Sequence, residues 1–351
     1  MGIDFCPCMM HETLQTTRCS RSLVPCRLPL SKARLVAMVV NNASSSGSKI
    51  LIRDVPGKGK GIITRQYFSK GDIVLAERPL FTQSITRSNA TVLAALALCT
   101  PYEQESFYRL HNCHGSRYPA ELGIFETNVL PCGSNDTHGH IAQQGGIFLF
   151  AARFNSSCVP NVNNRWDPDR GQVVFRALRD ISPGEELSIG YGKLLATRDE
   201  RREELKRKFN FKCRCEACAL EGQALAFSDE RRQVLHELYS AHMQEAAGDD
   251  PMQGIGEAMF ALKCLREEQL PVYESSFYFS GFHFCAAVSD LSSAAVWAKY
   301  AQEASRVAFG IQAAVRWSQL VADPSNYSEA GTLSRMTLAA PDSPLWKDLG
   351  F

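Results

Sequence analysis

The chain has 351 residues, 45% of them hydrophobic and 21% charged, and its 38 Lys and Arg against 37 Asp and Glu give a formal net charge of +1. That length allows about two domains with a sizeable core, and the balanced charge excludes the basic footprint of a nucleic-acid or anionic-membrane binder. No apolar run is long enough to span a bilayer, and 13 unevenly spaced cysteines do not make a small secreted disulfide framework.

Residues 1–48 read as a disordered leader. They are basic and poor in acids, with scattered cysteines (Cys6, Cys8, Cys19, Cys26) and a Ser-rich end. That composition also fits a transit peptide. Residues 49–55 read as a strand, followed by Pro56-Gly57-Lys58-Gly59-Lys60-Gly61. Three glycines so close mark a hairpin turn or a backbone that lies against something closely. No helical pattern follows, so this is not a dinucleotide fingerprint. A turn at 69–72 and a strand over 73–81 continue what reads as a mostly antiparallel β assembly.

Residues 88–111 read as helical with a break at Pro101. Residues 112–144 read as polar and loop-rich around a short apolar stretch at 122–129. His111, Cys113 and His114, with His138 and His140 later, match no zinc spacing and read as loop residues. Strand character resumes at 146–150 and runs into Arg153-Phe154-Asn155-Ser156-Ser157-Cys158-Val159-Pro160-Asn161. Taken alone, this stretch is a strand ending in an Asn/Ser turn. Residues 173–177 read as a strand and 184–192 as turn, strand, turn. Residues 197–208 read as a charged helix with a solvated face, too mixed in sign for nucleic acid. Lys206-Arg207-Lys208 belongs to that helix and makes no convincing nuclear signal.

Cys213, Cys215 and Cys218 then crowd into six residues beside Lys212 and Arg214. Such a cluster points to metal in a reducing compartment. Structural zinc takes four ligands, and spacing does not choose the fourth. From 228 to the end the pattern is almost wholly helical, with apolar faces at Val234, Leu235 and Leu238, at Ala258, Leu262 and Leu265, and at Ala294, Trp297, Ala298, Ala301 and Ala304.

Four features in order carry a resemblance: the Gly59/Gly61 pair, Asn155-x-Ser157-Cys158-x-Pro160-Asn161, Gly184-Glu185-Glu186-Leu187-x-Ile189-x-Tyr191, and Cys213-x-Cys215-x-x-Cys218. Over residues 49–220 the chain resembles the SET-domain protein lysine methyltransferases. It is most similar to the SMYD-like and fungal SET subgroup, which has a split SET domain and a helical C-terminal domain. The region 82–145 lacks the cysteine series of the MYND zinc module that SMYD proteins insert there.

The resemblance implies an α+β fold. A SET β-fold of short, mostly antiparallel strands with a helical insert precedes an all-α, TPR-like C-terminal domain. The implied division is 49–192 for the SET domain, with the insert at about 82–145, then 193–222 for a helix and post-SET zinc segment, and 223–351 for the helical domain. It implies methyl transfer from S-adenosylmethionine to the ε-amine of a lysine on a protein, histone or other. Gly59, Lys60, Gly61, Asn155, Ser156, Tyr191 and Phe211 are then expected at the cofactor. Tyr191 is the expected catalytic residue, with Phe209 in the substrate channel where many relatives have tyrosine. Cys158 becomes the fourth zinc ligand beside Cys213, Cys215 and Cys218. The partner is a protein substrate, without nucleic acid or membrane, and the chain is expected to be a monomer in the nucleus or the cytoplasm. The second reading is a catalytically weak or inactive SET-fold binding module. Ser156 favours it, because relatives usually have His there.

Overall fold

The computed structural model describes residues 49–133, 142–243 and 250–348. The leader, with Cys6, Cys8, Cys19 and Cys26, and the pair His138 and His140 lie outside the described residues.

Strands β1 (Ile50–Val55) and β2 (Gly59–Thr64) form an antiparallel hairpin in register from Ile50 opposite Thr64 to Val55 opposite Gly59. Gly57 and Gly59 close it with φ of 72° and 74°, a left-handed backbone that costs a residue bearing a Cβ about 1–2 kcal/mol. Then come β3 (Ile73–Glu77), β4 (Phe81–Ser84), β5 (Leu130–Pro131), β6 (Gln144–Ile147), β7 (Asn155–Ser156), β8 (Val162–Asp167), β9 (Gln172–Ala177) and β10 (Glu186–Ile189). The sheets run β1-β2-β10-β7, β3-β9-β8 and β4-β6-β5. Among the described strands the pairings are antiparallel except β7 with β10.

Inward-facing residues of these strands share one core, including Ile62, Phe148, Phe154, Phe175 and Leu187. Phe154 and Phe175 stack with ring centroids 4.3 Å apart. Each side chain so buried contributes roughly 2–3 kcal/mol. The stretch 153–161 does more than end a strand. A 3₁₀ turn at Ala151–Arg153 leads into the two-residue β7, and β8 begins at Val162, directly after Asn161. Asn163 and Asn164 hide β8 from a propensity reading. Tertiary structure overrides it: β8 pairs with β9 over six residues, and the buried Asn163 amide donates to the Ala308 carbonyl at 2.9 Å.

The insert carries three helices: α1 (Asn89–Leu96), α2 (Pro101–Tyr108) and α3 (Ala120–Asn128). Thr100 caps α2 in a capping box with Glu103, and Pro101 occupies the first turn, where its missing N–H costs nothing. Helix α3 stands where a loop-rich segment was expected. Gly123 interrupts its pattern, yet a Cβ there would lie 2.7 Å from the Asn112 amide. Val92, Leu96, Phe107, Ile124, Phe125 and Ile147 make the insert's own core.

After β10 come α4 (Arg198–Phe209), α5 (Glu216–Ala219), α6 (Gly222–Met243), α7 (Pro251–Glu267), α8 (Glu274–Ala287) and α9 (Leu291–Phe309), then the shorter α10 (Ile311–Val315), α11 (Trp317–Ala322) and α12 (Pro344–Asp348). The expected apolar faces of α7 and α9 are buried, as is Leu235 on α6, while Val234 and Leu238 are half-buried. Helices α8 and α9 pack so tightly that a Cβ on Gly281 would lie 2.4 Å from the Trp297 ring. Leu178, Leu194 and Leu195 from the β region belong to this helical core, so the two halves share apolar contacts.

Glu77, at the end of β3, holds the turn that precedes β7. Its carboxylate accepts the N–H groups of Phe150 at 3.0 Å and Ala151 at 2.8 Å. Burial nevertheless pushes its pKa up to about 7 from the ordinary 4.5, outweighing those backbone hydrogen bonds. The folded chain therefore keeps a proton that the unfolded chain releases first. Stability is greatest below pH 4.5 for this group and falls as the pH rises through about 7. The loss is at most roughly 3 kcal/mol. Chemical denaturation of the parent and of Glu77→Gln across that window checks it: the substitution is expected to remove most of the slope, and an unchanged slope would clear Glu77.

Candidate active site and metal centre

Strand β10 is the axis of the site. It pairs on one side with β2, Leu187 opposite Ile62, and on the other with β7, Ile189 opposite Ser156. This order brings the glycine pair and the Asn155–Ser156 step, about a hundred residues apart in sequence, to the two flanks of one short strand. Asn161 fixes β10 further: its side-chain oxygen accepts the Ser188 N–H at 2.8 Å, and its amide donates to the Glu186 carbonyl at 2.9 Å. A buried Asn, 4% exposed, thereby satisfies strand groups that would otherwise be orphaned.

Gly61 and Asn155 meet directly. The Asn155 amide donates to the Lys60 carbonyl at 3.3 Å and to the Glu186 carboxylate at 2.8 Å. A Cβ on Gly61 would lie 2.8 Å from the Asn155 amide nitrogen and 2.6 Å from Val55, so glycine is needed here for close approach. Lys58 adds an ion pair to Glu186 at 2.6 Å. Lys60 is exposed, and its ammonium pairs with Asp54 at 2.9 Å. Glu186 was not singled out from the sequence, although it lies within the Gly-Glu-Glu-Leu run.

Tyr191 follows β10 and packs against both the β core and the cysteine-bearing cluster. Its hydroxyl donates to the Phe154 carbonyl at 2.5 Å. Its ring lies 5.0 Å from that of Phe209. Burial, with a smaller contribution from Glu186, pushes the phenol well above its ordinary value, so it stays protonated. A small cleft runs between this segment and α4, lined by Ser156, Cys158, Tyr191, Leu194, Glu204 and Leu205 among others. Ser156 is placed there through its main chain, in the β7–β10 pair, and Ser157 N–H extends the pairing to the Ile189 carbonyl at 2.9 Å. Phe211 packs on the cysteine cluster and is not among the residues lining this cleft.

The sulfurs of Cys158, Cys213, Cys215 and Cys218 lie within 4.8 Å of one another. Cys158 and Cys218 are 3.6 Å apart, and the Cys158 N–H points to the Cys215 sulfur at 3.4 Å. Four Zn–S bonds of about 2.3 Å at tetrahedral angles put sulfurs roughly 3.8 Å apart, so the donor set fits such an ion. Crowding divides the thiols. The hydrogen bond from Cys158 holds Cys218 down to about 6 and Cys215 far below the ordinary range, while contact with Cys213 keeps Cys158 high. Cys113 packs against the same apolar cluster, bonded to Thr127 and Lys208, but is not one of the four converging sulfurs, and Cys132 bonds the Leu130 carbonyl. Among the described residues, His111 and His114 join no group of potential metal ligands.

Helix α4 is not the solvated rod expected from its charge. Arg201 is 2% exposed. Arg198, Arg201 and Arg202 share one face, at spacings of three and four. Arg202 donates to the carbonyls of Cys213 at 3.2 Å and Cys218 at 2.7 Å, and Arg198 to that of Leu220 at 3.3 Å. That face grips the cysteine segment. The same helix carries an ion pair, Glu204 with Lys208 at 2.6 Å. Periodicity could have singled out the arginine face, but only the folded partner shows what it holds.

The sequence profile described as SET domain matches residues 59–192. Histone-lysine N-methyltransferase set5 of Schizosaccharomyces pombe is 29% identical over 300 residues, which is 84% of this chain and 90% of that protein. Histone-lysine N-methyltransferase SMYD3 of Homo sapiens is 32% identical over 117 residues, 32% of this chain and 27% of that protein. SET domain-containing protein SmydA-8, isoform A, of Drosophila melanogaster is 35% identical over 99 residues, 28% of this chain and 21% of that protein. The SMYD-type likenesses are thus confined to part of each chain, whereas the set5 likeness runs through the helical region as well.

Proposed function

We propose, for a chain that belongs to the SET-domain protein lysine methyltransferases, that it methylates a histone lysine in the nucleus, with Tyr191 as the catalytic residue. The chain is a protein-lysine N-methyltransferase that uses S-adenosylmethionine. The observation that carries the residue assignment is the convergence of Gly61, Asn155 and Tyr191 on β10. The histone and nuclear readings rest on the likeness to set5 over most of both chains. No described helix is long and apolar enough to cross a membrane.

S-adenosylmethionine supplies an electrophilic methyl group on a sulfonium. Gly59, Lys60, Gly61 and Asn155 would hold its amino-acid end. Ser156 would offer main-chain groups to the adenine, and Phe211 is assigned to the outer face of that ring. The substrate ε-amine must be neutral to attack, and its ordinary pKa of about 10.4 sets that state roughly 4.6 kcal/mol uphill at pH 7. An apolar channel wall, Phe209 beside Tyr191, lowers that cost by disfavouring the ammonium. Tyr191 then orients the amine. Its own proton is committed to the Phe154 carbonyl, which leaves the oxygen lone pairs as acceptors. Because its phenol is pushed up, it serves as a hydrogen-bonding partner and not as the base. Ser156 supplies the same main-chain groups as the histidine usual in relatives, so its side chain does not argue against catalysis.

Zinc is assigned to Cys158, Cys213, Cys215 and Cys218 as a structural centre, supported by four thiols at tetrahedral spacing with no open ligand position. The same reading divides the chain into 49–192 as the SET unit, 193–222 as the zinc-bearing segment and 223–351 as the helical unit.

The test is methyl transfer from labelled S-adenosylmethionine to purified core histones and, separately, to a histone-depleted protein extract, with the labelled residues located by mass spectrometry. Label on a histone lysine is expected. Label confined to the depleted extract would move the substrate to non-histone proteins, and none in either would defeat the catalytic assignment.

A further inference from the structure

Two buried arginines flank the cysteine cluster, and one of them lacks the countercharge that burial demands. Arg201 is 2% exposed and Arg232 is fully buried. Arg201 donates to the Ala196 carbonyl at 2.5 Å and approaches the Cys218 sulfur at 4.0 Å. Its Nε has no hydrogen-bond partner, and it pairs with no described carboxylate. Arg232 comes from α6, in the helical half of the chain. It donates to the Cys158 carbonyl at 3.3 Å, to the Leu194 carbonyl, and to Glu268 at 2.7 Å. Glu268 is itself 4% exposed and is shared with Arg231 at 2.6 Å. The two guanidiniums are close enough to repel, and that repulsion, after burial, lowers the Arg232 pKa.

The charges do not balance as they stand. Arg231 pairs with Glu267 at 3.3 Å as well as with Glu268, so Glu268 answers Arg232, and Arg201 is left as the buried positive charge without a described carboxylate. Unpaired buried charge is strongly disfavoured, and the sulfurs of the cluster are the groups beside Arg201 that can carry negative charge. A divalent ion held by four thiolates carries two net negative charges, which would supply the countercharge that Arg201 lacks. We infer that Arg201 is a counter-ion of the tetrathiolate centre, and that Arg232, itself paired with Glu268, is the link through which the metal holds the helical half of the chain against the cleft. This rests on the zinc reading above. Both arginines are positioning residues. Arg201 acts on sulfur, and Arg232 acts on the main chain of Cys158, two residues beyond Ser156. Metal occupancy, the cysteine segment and the docking of α6 are thereby parts of one electrostatic unit.

The purified full chain, with its zinc, is titrated with a chromophoric chelator, and the zinc dissociation constant is compared among variants confirmed as folded by circular dichroism. Arg201→Met and Arg232→Met are expected to weaken zinc binding about ten- to a hundredfold, the usual effect of removing an outer partner of metal ligands. Arg201→Lys is expected to restore most of the loss. Glu268→Gln, which removes the carboxylate that offsets Arg232, is expected to leave zinc bound as tightly as in the parent or tighter. A packing role alone would instead make Lys no better than Met and would loosen zinc in Glu268→Gln. Hydrogen exchange gives the second readout: zinc removal from the parent is expected to speed exchange in residues 228–235 of α6. Folded parent without zinc would overturn the zinc reading and this one with it. Zinc held with parental affinity by folded Met variants would overturn the counter-ion assignment alone. If Arg232→Met does not fold, the Arg201 pair and Glu268→Gln still decide it.

Discussion

Replacing Tyr191 by Phe is expected to lower kcat by about 100-fold, while affinity for S-adenosylmethionine stays within about twofold of the parent. The substitution removes one oxygen and little else. The ring would still lie 5.0 Å from Phe209 and still seal the β core against the cysteine cluster. What is lost is the hydroxyl bonded to the Phe154 carbonyl at 2.5 Å. Its structural worth is about 1 kcal/mol, which the folded state can bear. Its catalytic worth is larger, because orientation of the amine lone pair is needed only in the transition state and appears in kcat, not in ground-state binding. Steady-state kinetics with calorimetric titration of S-adenosylmethionine separates the two. The pH profile adds a sign. Tyr191 is pushed well above its ordinary value and so does not titrate in the working range. The rise of rate with pH is therefore that of the substrate lysine, and the slower variant should keep its shape. Equal kcat in parent and variant would remove Tyr191 from the mechanism.

The parts of this site legible in the sequence are those whose reason is local. Gly59 is demanded by its own backbone, Pro101 by its missing N–H at a helix start, and the cysteine triplet by its spacing. Gly61 could be picked out as one of a glycine pair, but its reason, contact with Asn155, belongs to the folded chain. Helix α3 and strand β8 were hidden for opposite causes. Gly123 breaks a helical pattern that the Asn112 contact makes worthwhile, and the Asn pair of β8 defies propensity until pairing with β9 and the bond from the Asn163 amide to the end of α9 hold the strand. Arg201 and Arg232 were the least legible. A charged residue in a charged helix reads as solvated, and nothing local says that a sulfur cluster and a second buried guanidinium lie beside it. Phe211 shows the remaining gap: resemblance assigns it to a ring in the cofactor, whereas its place here is against the cysteines.

Removing the metal is expected to cost more than any single side chain outside the reacting group. Apart from the bonds that Arg198 and Arg202 make to its carbonyls, segment 210–220 has little to hold it. Helix α5 has four residues, too short to persist alone. The apolar cluster beneath it is small, with Leu205, Phe209 and Ala217 beside the buried cysteines. Cys158 is the one sulfur supplied from the β region, joining the turn after β7 to the cysteine segment. Small structural zinc sites bind with apparent free energies of about 10–16 kcal/mol, as much as the whole stability of an ordinary domain, about 5–15 kcal/mol. Cys158→Ser is therefore expected to lose zinc, to expose residues 210–220 to proteolysis, and to lower Tm. A loss of about 3 kcal/mol would correspond to roughly 6–12 °C for a domain of 150–250 residues. Activity should fall with it, because Cys158 itself lines the cleft, and Phe209, whose ring lies 5.0 Å from that of Tyr191, stands at the edge of the loosened segment. Cys132→Ser is the control. That thiol is also buried, but it bonds the Leu130 carbonyl and is not one of the four converging sulfurs, so zinc and cleft should be unaffected. Elemental analysis, limited proteolysis and thermal melts of the two variants check this. One zinc retained with parental affinity in Cys158→Ser would reassign the fourth ligand and leave the β region unconnected to the metal.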